Sequence, residues 1–312
     1  MTESSVIICA HNPRQDYLRR VVDALRAQTL PLDAWELLII DNASREPLAA
    51  SIDLSWHPKG RHIAESRLGI TYARNRGINE SASRVVIFVD DDNVLDDAYL
   101  TEAVSIGKEW PELGVWGSGM TTPEFEAEPA SHLKDLIPYL ALRTADEIYW
   151  SNIPGCVWAT PWGAGLCMRR QVAEAYARHS EQTSLPISGR IGNVLLSGED
   201  KEIAYIACEI GLGMAIFPSL KLLHLIPKAR VSEQYLLRLY EGTMASNYLL
   251  RYKWQGLFPQ TPRSLTGFLD LLANALTRHG LARRLYFAQR RGALKSLDII
   301  NRELTLKADE VR

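Results

Sequence analysis

Five apolar residues, Val85-Val86-Ile87-Phe88-Val89, end abruptly in three carboxylates, Asp90-Asp91-Asp92. Adjacent acids repel one another and cost stability unless a cation lies among them. Oxygen ligands of this kind suit a hard divalent ion, Mg2+ or Mn2+, which commonly accompanies a phosphorylated substrate. An acidic turn capping the next helix is the simpler alternative, because Asp92 and Asn93 are both good N-cap residues, yet capping needs one acid rather than three. A second acidic pair, Glu199-Asp200, follows Ser197-Gly198 and opens a helical stretch over 201–210. The dipole at a helix N-terminus favours an ionised carboxylate, which suits a general base, and helix capping is again the plain alternative. His224 closes an apolar run over 214–223 that Pro218 interrupts. A histidine beside apolar residues is commonly structural.

These groups need elements to position them. Ser5 to Ala10 reads as a short strand followed by the loop His11-Asn12-Pro13-Arg14. Leu18, Val21, Val22 and Leu25 recur at helical spacing within a predicted helix from Tyr17 to Gln28, with Asp16 as its N-cap. Trp35 to Ile40 forms a second strand ending in Asp41-Asn42-Ala43-Ser44, and a helix over 70–81 precedes the strand Val85–Val89. The resulting β-α-β-α-β order predicts a parallel, right-handed α/β sheet. Its strand ends would deliver His11, Asn12, Asp41 and Asp90 to Asp92 to one edge, where open α/β sheets bind ligands. A Gly-x-Gly-x-x-Gly loop is absent after the first strand, which argues against a dinucleotide-binding Rossmann domain, and the absence of a Walker-type loop excludes a P-loop NTPase.

The 312 residues suffice for one large α/β domain with an extension, or for two domains. A formal net charge of -2 with 46% hydrophobic residues carries no global signature of nucleic-acid binding. No stretch approaches a membrane span and the N-terminus lacks the pattern of a signal peptide, so a cytoplasmic protein is expected. Cys9, Cys156, Cys167 and Cys208 have no Cys-x-x-Cys spacing and read as reduced thiols.

Four ordered segments resemble family 2 glycosyltransferases: Val6 to Asn12, Leu38 to Ser44, Ala73-Arg74-Asn75-Arg76-Gly77-Ile78, and Phe88 to Asp92. The resemblance implies a GT-A fold and inverting transfer from a nucleotide-diphosphate sugar, most simply a UDP-sugar, and the string from His224 through Ile226-Pro227 to Arg230 also resembles bacterial members that build exopolysaccharides. It implies that Ala10, Asn12, Asp41, Arg74, Asp90 and Asp91 line the donor nucleotide, with Asp41 at the base. Asp90 and Asp92 would be the D-x-D pair for ribose and metal-diphosphate, although the middle acid Asp91 leaves open which two do this work. Asp92, Asp90 and His224 would hold Mn2+ or Mg2+, and Arg230 or Lys228 would offset charge on the leaving group. Trp162, Gly163 and Gly165 resemble the Gly-rich acceptor-side segment; on residues alone they read as a turn before a buried strand. The resemblance makes Asp200 the base that deprotonates the acceptor hydroxyl, with Glu199 beside it. The acceptor would be a saccharide or a lipid-linked sugar.

Residues 1–227 would then form the catalytic domain, with a nucleotide-binding half over 1–100 and an acceptor half over 101–227. Residues 228–312 would form a helical extension. From Lys228 to Lys295 there are twelve Lys or Arg against three Asp or Glu, with aromatics such as Tyr235, Trp254 and Phe268 interleaved. That composition suggests peripheral contact with the inner face of an anionic membrane; a solvated helical pair packed on the catalytic domain is the alternative. Two other functions fit less well. The Asp90 strand also resembles the motif of haloacid-dehalogenase-like phosphatases, but those begin their core with it, whereas two strands precede it here. A non-catalytic sugar-nucleotide-binding protein would not need Glu199-Asp200.

Overall fold

The computed structural model describes residues 2–183, 185, 187, 189–191, 194–259 and 265–310, with the side chains of 189–191, 194, 265–268, 270 and 307–310 outside that description. In chain order the elements begin with β1 (Ser4–Ala10), α1 (Gln15–Arg26), β2 (Trp35–Asn42), β3 (Gly60–Glu65), α2 (Ile70–Glu80) and β4 (Val85–Val89). They continue with β5 (Asn93–Leu95), α3 (Tyr99–Glu109), β6 (Leu113–Phe125), β7 (Arg143–Thr144), β8 (Tyr149–Ser151), β9 (Leu166–Arg169) and α4 (Arg170–Gln182). The chain ends with β10 (Gly189–Ile191), β11 (Val194–Leu196), α5 (Glu199–Glu209), β12 (Gly213–Ile226), α6 (Glu233–Gln255), α7 (Leu265–Thr277) and α8 (Gly280–Glu310).

Contacts divide the chain into two compact units. The first comprises Met1–Glu126, Ala141–Gln182 and Glu199–Ile226. It holds a sheet in the order β3-β2-β1-β4-β9-β6-β12-β5, with β7 on β6 and β8 on β12. The long pairings β3-β2, β2-β1, β1-β4 and β6-β12 are parallel, while the short strand β9 runs antiparallel between β4 and β6. Val6, Ile8, Leu37, Ile39, Ile87 and Val89 belong to one buried core with Leu18, Val21, Val22 and Leu25 of α1. The near-continuous apolar strands are what a sheet covered on both faces requires. Pro218 falls in the irregular stretch between Phe217 and Lys221, where the β12–β6 register shifts because proline cannot donate to the ladder.

Several expectations need correction. Strand β3 lies between β2 and α2, so the start is β-α-β-β-α-β; its sequence, Gly-Arg-His-Ile-Ala-Glu, is polar because it is the edge strand. Helix α1 begins two residues earlier than predicted, with Arg14 at the cap position, and Asp16 in its first turn bonds to Arg14 instead of capping. No helix follows Asp92 directly, since Asn93–Leu95 is strand, so the capping explanation for the triple acid falls away. Helix α5 starts at Glu199, two residues earlier than read.

The second unit comprises Ala127–Leu140, Thr183–Gly198 and Pro227–Arg312. It therefore takes in two segments, 127–140 and 183–198, that the sequence boundary at 227 assigned to the catalytic domain. Leu185 and Leu196 pack with Ala245, Leu249 and Ile300 from α6 and α8. The buried acid Glu241 on α6 is paired with Arg291 Nε at 2.6 Å and with Lys295, both on α8. Gly242 is demanded here: any Cβ would collide with the Leu195 carbonyl.

Candidate functional site

Parallel pairing aligns the ends of β1 and β2 with Ala10 opposite Asp41, and the register of β1 with β4 sets Ile8 opposite Val89, one residue before Asp90. Residues expected on the donor side, from separate parts of the chain, thus meet at one sheet edge. The two loops leaving β1 and β2 are tied together: Asn12 N donates to Ser44 Oγ at 3.0 Å, and Arg45 N donates to Asn12 Oδ1 at 2.9 Å. Asn12 and Ala43 both hold left-handed conformations, with φ of 47° and 55°. Non-glycine residues in that region are uncommon and concentrate at functional sites. Asp41 is half-buried, and its two oxygens accept from Ser44 N at 3.1 Å and Leu48 N at 2.9 Å. It shapes the loop that a nucleotide base would face.

Asn42, not singled out from sequence, fixes the entry to α2. Its amide nitrogen donates to Arg67 O at 2.7 Å and its oxygen accepts from Gly69 N at 2.8 Å. Helix α2 in turn buries Arg74, whose guanidinium lies 4.9 Å over the Phe88 ring and 4.0 Å from Asp90 Oδ1. Burial opposes the charge on Arg74, but Glu199, Asp90, Tyr176 and Cys9 outweigh it and raise the pKa above the usual arginine value. A charged guanidinium is therefore held by Asp90 and by the acidic start of α5. Nearby Cys9 has its thiol pushed up to about 12 by burial, against the pull of Arg74. It stays a neutral thiol.

Asp92 is buried beside His224, with Oδ2 3.5 Å from Nε2, and its Oδ1 accepts from Asn93 Nδ2 at 3.1 Å. Antiparallel pairing of β5 with β12 causes this meeting, since it sets His224 opposite Asn93. His224 Nδ1 is buried without a hydrogen-bond partner. The two side chains fit the donor set of a divalent ion, carboxylate oxygen plus neutral imidazole. Among the described residues no group of three or more His, Cys, Asp or Glu side chains has metal-site spacing, and Asp90 faces Arg74.

Gly163 joins the two halves of the site. A Cβ there would lie 3.2 Å from Arg74 Nη2, and its backbone N donates to Asp200 Oδ2 at 3.2 Å. Asp200 Oδ1 accepts from Lys201 N at 2.8 Å. Glu199 is buried, and its charge acts on Arg74. Trp162 is covered by Arg143, whose guanidinium stacks 4.0 Å above the indole and donates from Nη1 to Thr160 O at 3.0 Å. Burial lowers the Arg143 pKa to about 10, partly offset by the charge of Asp200. Sequence reasoning missed Arg143, because a lone arginine in a two-residue strand carries no pattern. Gly165 is buried with φ of 70°, its carbonyl accepts from Tyr99 OH at 2.7 Å, and any Cβ would strike that hydroxyl. Its glycine makes room for the core. A cavity of about 510 Å³ lined by residues 49–55, His57, Gly60 and His62 contains none of these groups.

Comparison with known proteins bears on the fold and on the class of protein. Residues 5–158, just under half of the chain, match the family model Glycosyl transferase family 2. Glycosyltransferase AglE of Haloferax volcanii is 28% identical over 104 residues, 32% of this chain and 34% of that protein. The matched part is thus about a third of that relative's length. Among solved structures, S. aureus TarS 1-349 in complex with UDP superposes with a TM-score of 0.50 at 13% identity, covering 96% of this chain and 90% of that one. A second S. aureus TarS structure gives the same TM-score and identity over 96% of this chain and 55% of its own. The fold is accordingly the mixed α/β, mostly parallel GT-A type that the motifs implied.

Proposed function

We propose that this chain is an inverting glycosyltransferase that moves a sugar from a nucleotide-diphosphate sugar to a hydroxyl of a saccharide or lipid-linked acceptor. The observation that carries the reading is the string Asp90, Arg74, Gly163, Asp200: 4.0 Å separates Asp90 from the Arg74 guanidinium, Gly163 abuts that guanidinium, and its amide holds Asp200. We read Asp90 as the donor side and Asp200 as the base, linked through one buried cation. A uridine nucleotide is the first choice of donor, following the TarS complex with UDP.

In this mechanism Asp200 accepts the proton of the acceptor hydroxyl as its oxygen attacks the anomeric carbon and the bond to the diphosphate breaks, inverting that centre. Gly163 N and Lys201 N orient the carboxylate, so little reorganisation is needed when the proton arrives. Glu199 acts through Arg74, and Trp162 braced by Arg143 offers an aromatic wall to the acceptor. Asp41 and the Asn12 loop take the base and Asp90 and Asp91 the ribose side. Asp92 and His224, with Asp90 as a further candidate, would hold Mn2+ or Mg2+, which would neutralise charge on the leaving diphosphate. We place the enzyme in the cytoplasm, at the inner face of a membrane through its C-terminal helices.

Calorimetry and hydrolysis assays against UDP-, GDP- and dTDP-sugars, with Mn2+ and with chelator, test the reading. One donor class should bind and turn over only with metal, and Asp92→Ala should lose that metal dependence while Asp91→Ala is milder. Equal affinity with chelator would remove the metal from the mechanism. Binding of no sugar nucleotide would end the proposal.

A further inference from the structure

Helix α7 has the sequence Leu-Thr-Gly-Phe-Leu-Asp-Leu-Leu-Ala-Asn-Ala-Leu-Thr, with a single acid and no base. An apolar helix of this kind belongs against something, yet none of its described side chains is buried. Leu269, Leu272 and Leu276 are 55%, 42% and 73% exposed, and spacings of three and four place them on one face. Leu257 and Phe258, ahead of the helix, are also exposed.

The charges next to this face choose its partner. Arg278, at the end of α7, donates to Asn274 Oδ1 at 2.7 Å and lies 5.2 Å from the Tyr286 ring centre. Arg283, in the first turn of α8, rests over Phe287 at 6.0 Å. Both cations are supported by amide or aromatic groups and keep their charge for an outside anion. Arg284 and Arg291 are different, being committed to Glu233 and Glu241 within the unit. A second copy seated on the same face would bring Arg278 and Arg283 against their own kind, which is repulsive. A bilayer with anionic headgroups meets the leucines and the cations together.

We propose that α7 is an interfacial helix, with Leu269, Leu272 and Leu276 entering the acyl boundary of an anionic bilayer and Arg278 and Arg283 on its headgroup phosphates. The inference rests on the proposed membrane attachment and not on glycosyl transfer. No described helix is long and apolar enough to cross a membrane, and this one need only lie in the surface.

The full chain should sediment with vesicles of phosphatidylcholine and phosphatidylglycerol in equal parts, and poorly with phosphatidylcholine alone. Raised salt should weaken binding, as charges are screened beyond about 8 Å at physiological ionic strength. The double variant L272E/L276E should lose binding, and R278E/R283E should weaken it by at least about tenfold. Both changes sit on exposed positions, so circular dichroism and donor hydrolysis should match the parent. Vesicle binding unaltered in both variants, or absent in the parent, would overturn the proposal. So would light scattering that shows a parent dimer dissociated by L272E/L276E with vesicle binding intact, because α7 would then be a contact between copies. Loss of donor hydrolysis in the parent would count against the glycosyltransferase reading alone.

Discussion

Asp200 receives one backbone amide on each carboxylate oxygen, from Gly163 and Lys201, and this fixes its direction without cancelling its charge. Asp200→Asn keeps the shape and removes the proposed proton acceptor. Transfer should fall by roughly 10²–10⁴-fold, the usual worth of a general base, with donor affinity nearly unchanged. Steady-state turnover together with donor titration measures both; near-normal turnover would move the role to Glu199. The acids were legible in the sequence because carboxylates ending an apolar strand or opening a helix have few structural excuses. Their supports were not legible. Arg143 matters only because tertiary folding lays it 4.0 Å over Trp162, and Asn42 only because it reaches the residues that begin α2. Gly165, read as part of an acceptor-side segment, also has its carbonyl bonded to Tyr99, a contact the sequence does not announce.

At the scale of elements, apolar runs were sufficient to find β1, β2 and β4, because strands buried on both faces have little choice of composition. The edge strand β3 escaped, since only one of its residues, Glu65, is buried. The connection leading to it contains His57, 3% exposed and packed edge-on against Trp35 at 4.2 Å and Trp56 at 5.2 Å between centres. Burial, with a smaller push from Lys59, lowers its pKa from 6.5 to about 4. The unfolded chain therefore binds the proton more readily, and stability should be lost as pH falls from about 6.5 towards 4 and level off below. The histidine's share is on the order of 3 kcal/mol. Denaturant titrations between pH 7 and pH 4, run on the parent and on His57→Phe, check this. An equal acid slope in both proteins would show that other groups cause it.

For the whole molecule, the chain passes between the two units five times, after Glu126, Leu140, Gln182, Gly198 and Ile226. A sequence read linearly sees one boundary near 227, where acid-tipped strands give way to helical periodicity. It does not see that 127–140 and 183–198 leave the sheet and return, because neither excursion has a pattern of its own. Their apolar residues belong to the second unit: Leu185 and Leu196 share a cluster with Leu249 and Ile300. A chain stopped after Pro227 would retain both excursions and lose the helices they pack on, exposing these leucines to water. It should express as aggregate, whereas the full chain should unfold in a single calorimetric transition, the interleaved connections coupling the units. A soluble, monomeric 1–227 fragment with native near-ultraviolet dichroism and donor binding would show that the sheet unit is stable alone. Two resolved transitions in the full chain would show the same from the other direction.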